Sequence, residues 1–405
     1  MGRLQHPGNL FLGGEGFSLD GHQPYQNHTT EFLWDSPQKP VSSRASVLES
    51  GARSIGQIVS MNIINIGVIG CGHWGPNHVR VFSQLRESRV VACADLDPKR
   101  LEAIRDQHPQ VSVFQDYQAM LKTAAVDAVV VAAPTRVHYP VVKAALEADK
   151  HVLCEKPLCT NSREASELVA LAKARQRVLM TGHVFLFNSG IVKLKELVGN
   201  GDPGKIYYLR ALRTNLGPVR RDVNSVFDLA THDIAIFNWV LDSRPESVSA
   251  VGGHFLQETI EDVAFISLRY PNNILGHIQV SWLDPKKLRE IVVVGDKKMV
   301  IWDELAPAGP ITIYDKTVVR HENYEDFGQF QLLAREGDIT IPKVRLEEPL
   351  KVQNRFFLKC LGEGRLPMND GAFAVDVVRV LEAIEKSLKS GGAPAAVPPS
   401  LADAI

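Results

Sequence analysis

The sequence predicts an α/β fold in two parts: a doubly wound parallel sheet, then an α+β domain built on a mostly antiparallel, open sheet. Two observations support this. Between residues 63 and 182, apolar runs of strand length alternate with helical patterns, as in consecutive β–α–β units. After residue 182, short strand-like runs follow one another across turn signals, which favours antiparallel pairing. A chain of 405 residues is long enough for both domains.

The first domain is expected to span residues 61–182 and to contain six strands. Strand-like runs lie near residues 63–69, 89–94, 110–114, 127–132, 150–154 and 177–181. Helix-like segments lie between them, near 75–86, 98–107, 116–123, 137–148 and 162–175. This order suits a doubly wound sheet, in which the ligand binds beyond the carboxyl ends of the strands.

The second domain is expected to span residues 183–390, with helices on one face of its sheet. Helical patterns lie near 189–199, 224–241, 350–362 and 371–389. Strand-like runs lie near 205–215, 246–254, 262–270, 274–283, 289–295 and 298–302. Turn signals such as Pro271-Asn272-Asn273 separate several of these runs.

Both ends of the chain are expected to lie outside the folded domains. Residues 1–60 show no sustained period and are interpreted as a disordered extension, with an interaction arm as the alternative. They lack the pattern of a secretory signal. A Gly/Ala/Pro-rich segment, 391–405, is interpreted as a flexible tail.

Composition argues against several classes of protein. A formal net charge of -1 gives no basic field for nucleic acid, so no nucleic-acid partner is expected. Apolar runs are far shorter than the ~20 residues that cross a bilayer, so no membrane partner is expected. The five cysteines are scattered, without zinc-site spacing, and indicate a reduced, cytoplasmic protein with no bound metal.

A glycine-rich turn follows the first strand and opens the first helix. Gly70, Gly72 and Gly75 match the Gly-x-Gly-x-x-Gly pattern of dinucleotide binding. The glycines allow a tight turn, close backbone approach to a pyrophosphate and close helix packing, and the helix N-terminus favours the anion. His73 and Trp74 lie inside the turn as further candidate cofactor contacts. The alternative is a strand-to-helix turn without a ligand.

Asp95 ends the second strand at the spacing expected of a ribose-binding acid. A carboxylate there accepts hydrogen bonds from ribose hydroxyls and repels a 2′-phosphate, so NAD is favoured over NADP. Lys99 and Arg100 lie near enough to leave that choice open. In the alternative interpretation, Asp95 is a turn residue and Asp97 caps the next helix.

Two further loops open onto the same edge of the sheet. Pro134, Thr135 and His138 follow the fourth strand, and Glu155 and Lys156 follow the fifth, so all five are candidate cofactor contacts. Each loop has a simpler interpretation, because proline after a strand is a common loop device. Lys156 differs in kind, since a lysine beside the nicotinamide ring would stabilise a developing alkoxide.

With these residues together, the chain resembles the Gfo/Idh/MocA family of NAD(P)-dependent oxidoreductases over roughly residues 63–390. The resemblance lies in the glycine turn, in Glu155-Lys156-Pro157, and in a helix with an aspartate and a histidine four residues apart, Asp228 and His232. It implies that His232 is the general base, that Lys156 hydrogen-bonds the reacting oxygen, and that Asp228 positions the histidine. Asp233 is the reserve choice for the supporting carboxylate.

The spacing of Asp228 and His232 has its own physical interpretation, because residues four apart share one face of a helix. The ordinary pKa of histidine, near 6.5, suits it to accept a proton from a sugar hydroxyl. Without the family resemblance, a capping or packing role would be the better interpretation of such a pair.

A finer resemblance is to the nucleotide-sugar 3-dehydrogenases, which act on UDP-N-acetylglucosamine or its uronic acid. It is carried by residues 70–77, 182–188, 213–217 and 228–234. Two positions depart from it: Thr231 stands where many relatives have proline, and Phe187 where tyrosine is usual. These departures weaken the assignment of the substrate and leave the proposed catalytic groups in place.

The resemblance implies oxidation of C3 of a UDP-linked N-acetylhexosamine, with the hydride passing to NAD, and a homodimer or homotetramer. Asn188, Asn215, Arg220 and Arg221 are candidate substrate contacts, since the arginines suit a diphosphate or uronate and the amides suit hydroxyls. A solvated loop is the alternative for the two arginines. Rival functions are a dehydrogenase of a free polyol or sugar, such as inositol or glucose, a noncatalytic NAD-binding regulator, and a structural partner protein.

Overall fold

The computed structural model describes residues 63–319, 333–335 and 337–400. The predicted extension at 1–60 and residues 401–405 lie outside this part of the chain.

The first domain is a six-stranded parallel sheet with helices between successive strands. Its strands run in the spatial order β3-β2-β1-β4-β5-β6, which confirms the predicted doubly wound, Rossmann-type sheet. The strands are β1 (Ile64–Ile69), β2 (Ser88–Ala94), β3 (Ser112–Phe114), β4 (Ala128–Val131), β5 (His151–Glu155) and β6 (Leu179–Gly182). The helices are α1 (Gly75–Gln84), α2 (Pro98–Gln107), α3 (Tyr117–Thr123), α4 (His138–Glu147) and α5 (Ser162–Ala174).

The second domain contains a nine-stranded sheet in the order β16-β13-β12-β11-β7-β10-β9-β8-β17. β7 and β10 pair in parallel, and the other pairs recorded for this sheet are antiparallel, so the predicted mostly antiparallel sheet is confirmed. Its strands are β7 (Ile206–Leu216), β8 (Ser247–Gly253), β9 (Val263–Arg269), β10 (Leu275–Ser281), β11 (Leu283–Gly295), β12 (Met299–Asp303), β13 (Ile311–Tyr314), β16 (Ile339–Thr340) and β17 (Ala395–Ala396). A separate ribbon pairs β14 (Thr317–Val319) with β15 (Leu333–Arg335).

The described residues of this domain also form four α-helices and one π-helical turn. The helices are α6 (Ser189–Gly199), α7 (Thr231–Leu241), α8 (Pro349–Glu363) and α9 (Gly371–Lys389). The π-helical turn, Val226–Ala230, leads directly into α7. α8 packs on α1, and α9 packs on both α5 and β8. Ala374 and Val375 of α9 lie in the apolar core of the first domain, so the last two helices join the two parts of the fold.

The register of the large sheet separates a covered face from an open one. Ile266 and Ile278 are cross-strand partners that are fully buried under the helices. On the opposite face, Val251 pairs with Phe265 and Tyr208 pairs with Leu275. These four side chains are 43–53% exposed. We call this surface the open face of the sheet.

The predicted flexible tail is wrong for the part of it that is described. β17 pairs with β8, and the Val397 N–H donates to the carbonyl of Glu246 at 2.9 Å. Ala395 and Val397 are 3% and 8% exposed. The segment forms a strand because its backbone pairs with the hydrogen-bonding groups at the edge of the sheet. Its small apolar side chains are buried at the same time.

No helix in the described part of the chain is long and apolar enough to cross a membrane.

Candidate active site

A cleft of about 1170 Å³ opens at the carboxyl ends of β1, β2, β4 and β5 and extends to the second domain. One side, the Rossmann side, is lined by the loops that follow these strands. The other, the second-domain side, is lined by β7, the segment before α7, α7 itself and β11. The sequence-predicted residues that line the cleft are Gly70, Gly72, His73, Trp74, Asp95, Pro134, Thr135, Glu155, Lys156, Asn215, Arg220, Arg221, Asp228 and His232.

The glycine turn has the geometry that a pyrophosphate requires. Gly70 has φ +94°, and a Cβ there would lie 2.6 Å from the backbone nitrogen of Ala133. A Cβ on Gly75 would lie 2.0 Å from the carbonyl oxygen of Gly70. Around Gly72 the nearest atom to such a Cβ is 3.6 Å away, on Arg100, so the backbone there faces open cleft. These observations fit the three glycine roles of a dinucleotide site.

The N-terminus of α1 is free to bind an anion. It has no side-chain cap and no acidic residue in its first turn, whereas Asp97 caps α2 and Asn161 caps α5. The amide groups of that first turn therefore remain available to phosphate oxygens.

Asp95 has two roles in the cleft. Its carboxylate accepts hydrogen bonds from the backbone nitrogens of Cys71 at 2.6 Å and Asp97 at 2.9 Å, so it braces the glycine turn. Its side chain lines the cleft and lies 3.6 Å from Arg100. Each oxygen accepts one of these bonds and keeps a lone pair for a ribose hydroxyl. The glycine turn and the N-terminus of α1 thus fit the pyrophosphate of NAD, and Asp95 fits its ribose.

Lys156 follows β5 and reaches across the cleft to the second domain. Its Nζ donates to the backbone oxygen of Asp228 at 2.7 Å and lies 3.5 Å from the carboxylate of that residue. The lysine side chain is only 8% exposed. Burial lowers the pKa of Lys156, and the negative charge of Asp228 partly opposes that shift.

His232, in the first turn of α7, lines the cleft and has one buried ring nitrogen. Nδ1 is buried and has no hydrogen-bond partner among the described residues, which leaves Nε2 as the nitrogen available to a ligand. Phe185 packs edge-on against the ring, with centroids 4.8 Å apart. Burial, and then the charges of Lys156 and Arg213, hold the pKa of His232 well below its ordinary value. The imidazole is therefore neutral at physiological pH.

The structure corrects the predicted support of His232 by Asp228. The segment that carries Asp228 is a π-helical turn, whose wider spacing breaks the i,i+4 alignment on which the prediction rested. The Asp228 carboxylate accepts instead from Arg220 Nη1 at 3.0 Å and Trp282 Nε1 at 3.4 Å. Burial alone would raise the pKa of Asp228, but Lys156 and Arg220 outweigh it and lower the pKa.

The reserve choice, Asp233, is also not a partner of His232. Its two oxygens accept hydrogen bonds from Arg213, both at 2.8 Å. The two side chains are 4% and 1% exposed, so this is a buried ion pair of the second domain.

Two other predicted contacts lie elsewhere. Asn188 caps α6: its Oδ1 accepts from the backbone nitrogens of Gly190 at 3.0 Å and Ile191 at 3.3 Å. His138 is 1% exposed, and its ring nitrogens contact the carbonyl oxygens of Pro157 at 2.9 Å and Ala133 at 2.8 Å. The side-chain oxygen of Asn188 is thus occupied by the backbone of its own helix. The imidazole of His138 is occupied by two loop carbonyls and connects these loops.

The sequence interpretation missed a cluster of stacked side chains on the second-domain side. Arg213 and Arg289 are cross-strand partners on β7 and β11, and their guanidinium groups lie 4.3 and 5.7 Å from the ring centroid of Phe185. Both arginines occur in phase with the inward-facing apolar residues of their strands. A charged residue at a strand position that should face inward was the signal that could have identified them.

Two cations of the second-domain side have no carboxylate partner among the described residues. Arg213, Arg220 and Arg289 are each paired with an acid, Asp233, Asp222 and Glu304 respectively. Arg221 and Lys287 also line the cleft, and within the described part of the chain no carboxylate pairs with either of them. This side of the cleft therefore carries uncompensated positive charge. Arg221 was predicted, whereas Lys287 was not.

Two profiles of one protein family match the chain. The profile described as the Gfo/Idh/MocA oxidoreductase family, NAD-binding Rossmann fold, matches residues 64–183, and the Gfo/Idh/MocA C-terminal domain profile matches residues 191–301. The chain belongs to the Gfo/Idh/MocA oxidoreductase family. It is accordingly an oxidoreductase, and its first domain binds NAD.

Two curated relatives show how far the similarity extends. An uncharacterized oxidoreductase of Bacillus subtilis, YrbE, is 28% identical over 225 residues, which are 53% of this chain and 66% of the relative. The myo-inositol 2-dehydrogenase of Thermotoga maritima is 28% identical over 275 residues, 65% of this chain and 80% of that enzyme.

A solved structure shares the fold of this Gfo/Idh/MocA protein. It is the WlbA dehydrogenase from Bordetella pertussis in complex with NADH and UDP-GlcNAcA, with a TM-score of 0.70 and 21% identity. The match covers 84% of this chain and 99% of that one.

Proposed function

We propose that this protein is an NAD-dependent dehydrogenase of a negatively charged sugar, a UDP-N-acetylhexosamine or its uronic acid, that acts at C3. The observation that carries the proposal is the uncompensated charge of Arg221 and Lys287 on the second-domain side of the cleft, which also holds His232 and toward which Lys156 reaches. A diphosphate or a carboxylate would supply the missing negative charge. The similar fold of the WlbA dehydrogenase, which was crystallised with UDP-GlcNAcA, supports the same class.

When NAD is bound, it supplies the acceptor for a hydride from the sugar carbon. Lys156 donates a hydrogen bond to the oxygen on that carbon and stabilises its negative charge. His232 Nε2 accepts the hydroxyl proton. As the alcohol becomes a carbonyl, its proton becomes strongly acidic, so an imidazole of low pKa accepts it readily and is already neutral at physiological pH.

Asp228 acts on Lys156 in this scheme. Its backbone oxygen and carboxylate together hold Nζ and limit the loss of positive charge that burial would otherwise cause. Asp228 thus keeps the lysine charged at the reacting oxygen, and we assign it this role in place of the one predicted from sequence.

The experiment is an assay of NADH formation by absorbance, with UDP-N-acetylglucosamine, its uronic acid, inositol and glucose as substrates. We expect turnover with a UDP-sugar. Arg221→Ala and Lys287→Ala should each raise KM about tenfold, as for the loss of one charge-assisted hydrogen bond, with little change in kcat. Lys286→Ala, a neighbouring exposed lysine outside the cleft, is the matched control and should leave KM unchanged.

A dehydrogenase of a free polyol is the second candidate, and the similarity to myo-inositol 2-dehydrogenase favours it. Turnover of inositol that is insensitive to both cation variants would support this candidate and contradict the first.

A further inference from the structure

A chain of buried polar contacts lies behind Lys156. His78 Nε2 is 3.0 Å from Glu155 Oε1, and Asn354 Nδ2 is 3.2 Å from His78 Nδ1. His78 and Asn354 are fully buried, and Glu155 is 8% exposed. These hydrogen-bond contacts therefore join α1, the end of β5 and α8.

With Nδ2 of Asn354 facing the ring, the contacts favour one tautomer of His78, and the amide oxygen of Asn354 is then without a hydrogen-bond partner among the described residues. The amide nitrogen of Asn354 can only donate, so Nδ1 accepts from it. The ring proton is then on Nε2, which donates to Glu155. Both ring nitrogens are satisfied by this single tautomer.

The second oxygen of Glu155 is also occupied. Oε2 accepts from the backbone nitrogen of Lys156 at 3.3 Å. The carboxylate is thus held between the imidazole and the lysine backbone, while Nζ of Lys156 is bonded to Asp228. A carboxylate released from His78 would be drawn to the buried ammonium one residue away, because opposite charges attract strongly where water is excluded.

His78 also connects this carboxylate to the helix that begins at the glycine turn. It lies in the first turn of α1, where its N–H donates to the carbonyl of Trp74 at 3.1 Å. Two residues later, Arg80 pairs with Glu348, the residue that precedes α8. The cofactor-binding helix, the Glu155–Lys156 loop and α8 therefore form one connected unit.

We propose that His78 is a positioning residue for Lys156: it holds the Glu155 carboxylate away from Nζ, and so keeps the lysine on Asp228 and directed at the substrate. The role assigned to Lys156 rests on the proposed function. The arrangement of Glu155 does not, and it can be tested without a substrate.

The test compares His78→Ala with His78→Gln, whose amide nitrogen can still donate to Glu155. The first measurement is the pH midpoint for modification of Lys156 by a small amine-reactive reagent, quantified by peptide mass spectrometry. The charged groups and histidines that act on this lysine are Asp228, Arg220, Glu155, His183 and His232. His78→Ala should raise the midpoint, because the freed carboxylate stabilises the ammonium, and His78→Gln should restore it.

Glu155→Gln should lower the same midpoint, because it removes a negative charge that favours the charged lysine. With an active sugar, His78→Ala should lower kcat about 10- to 100-fold, as for a misplaced catalytic group, while KM and the Kd for NAD change less than about threefold. His254→Ala, at an exposed histidine, is the control and should change none of these values.

A His78→Ala protein with the wild-type midpoint and wild-type kcat would overturn the proposal. So would an equal loss in His78→Gln, which would indicate a packing role only. If wild-type protein binds NAD but oxidises none of the sugars, the proposed function fails, and the modification midpoints still decide the role of His78.

Discussion

The negatively charged carboxylate of Asp228 contacts both Lys156 and Arg220, two cations that would otherwise repel each other. It accepts hydrogen bonds from both cations, and from Trp282, so three side chains converge on one carboxylate. His232, four residues later, takes no part in this cluster. At the scale of single residues, the site therefore consists of a charged lysine held by an acid and a neutral histidine held by packing.

The ion pair of Arg213 and Asp233 is the most deeply buried of those at the cleft. Asp233→Ala should lower the free energy of unfolding by about 3–5 kcal/mol, because it leaves an uncompensated buried guanidinium. Urea denaturation measures this. The exposed pair of Lys195 and Asp242, where Asp242 is 80% exposed, provides the comparison: Asp242→Asn should cost less than about 1 kcal/mol. Similar losses in the two variants would contradict the burial argument.

Residue identity was predictable where chemistry alone selects the residue type. Lys156 and the three glycines were found in this way, whereas the role of His232 was predicted through the family resemblance; all of them line or shape the cleft. The partner of Asp228 was not predictable, because it depends on a π-helical turn that leaves no periodic signal. Asn188 was misassigned because its amide serves the backbone of its own helix.

At the scale of elements, the strand-to-helix turn at β1 and α1 positions the cofactor. Its glycines have different surroundings. Substitution of one glycine is therefore expected to affect folding, and substitution of another to affect NAD binding. Gly75 faces the carbonyl of Gly70, whereas Gly72 faces the cleft.

Gly75→Ala should therefore disrupt folding, since its Cβ would lie 2.0 Å from a backbone oxygen. Gly72→Ala should fold normally and weaken NAD binding about tenfold, or 1.4 kcal/mol, by obstructing the approach to the backbone. Thermal unfolding and a fluorescence titration with NAD separate the two effects. Normal NAD binding by Gly72→Ala would contradict the assignment of this turn.

The C-terminal segment is an element that sequence did not reveal, because a two-residue strand has no detectable alternation. Truncation after Gly392 should lower the free energy of unfolding by a few kcal/mol (about 2–4), since it removes the buried side chains of Ala395 and Val397 and the Ala393 carbonyl that accepts from the Ser387 hydroxyl. Truncation after Ser400 is the matched control. Equal stability of the two shortened chains would show that β17 contributes nothing.

At the scale of the whole molecule, several helices were predictable to the residue, whereas some short strands of the second domain were not. α2, α6 and α9 begin and end where the sequence predicted. β13 and β16, with four and two residues, were missed because pairing with neighbouring strands, and not their own pattern, defines them. The open face of the sheet is likewise a property of the register and emerges only when the strands are placed side by side.

We propose that the open face is the surface through which the protein forms a homodimer or homotetramer. Val251 and Phe265 are cross-strand partners there, 53% and 44% exposed. Light scattering coupled to size-exclusion chromatography should give a multiple of the 44.7 kDa chain mass. Val251→Glu combined with Phe265→Glu should reduce it, whereas Leu366→Glu, at an exposed loop, should not. A monomeric wild-type protein would contradict this proposal.

The most direct test of the catalytic account is NADH formation from the active UDP-sugar by wild-type protein, His232→Ala and Lys156→Ala, with NAD binding measured in parallel. General acid–base catalysis contributes about 10²- to 10⁴-fold, so each variant should lose at least about 100-fold in kcat while it still binds NAD. Wild-type kcat in either variant would contradict the account. So would a wild-type protein that binds NAD and yields no NADH from any sugar tested.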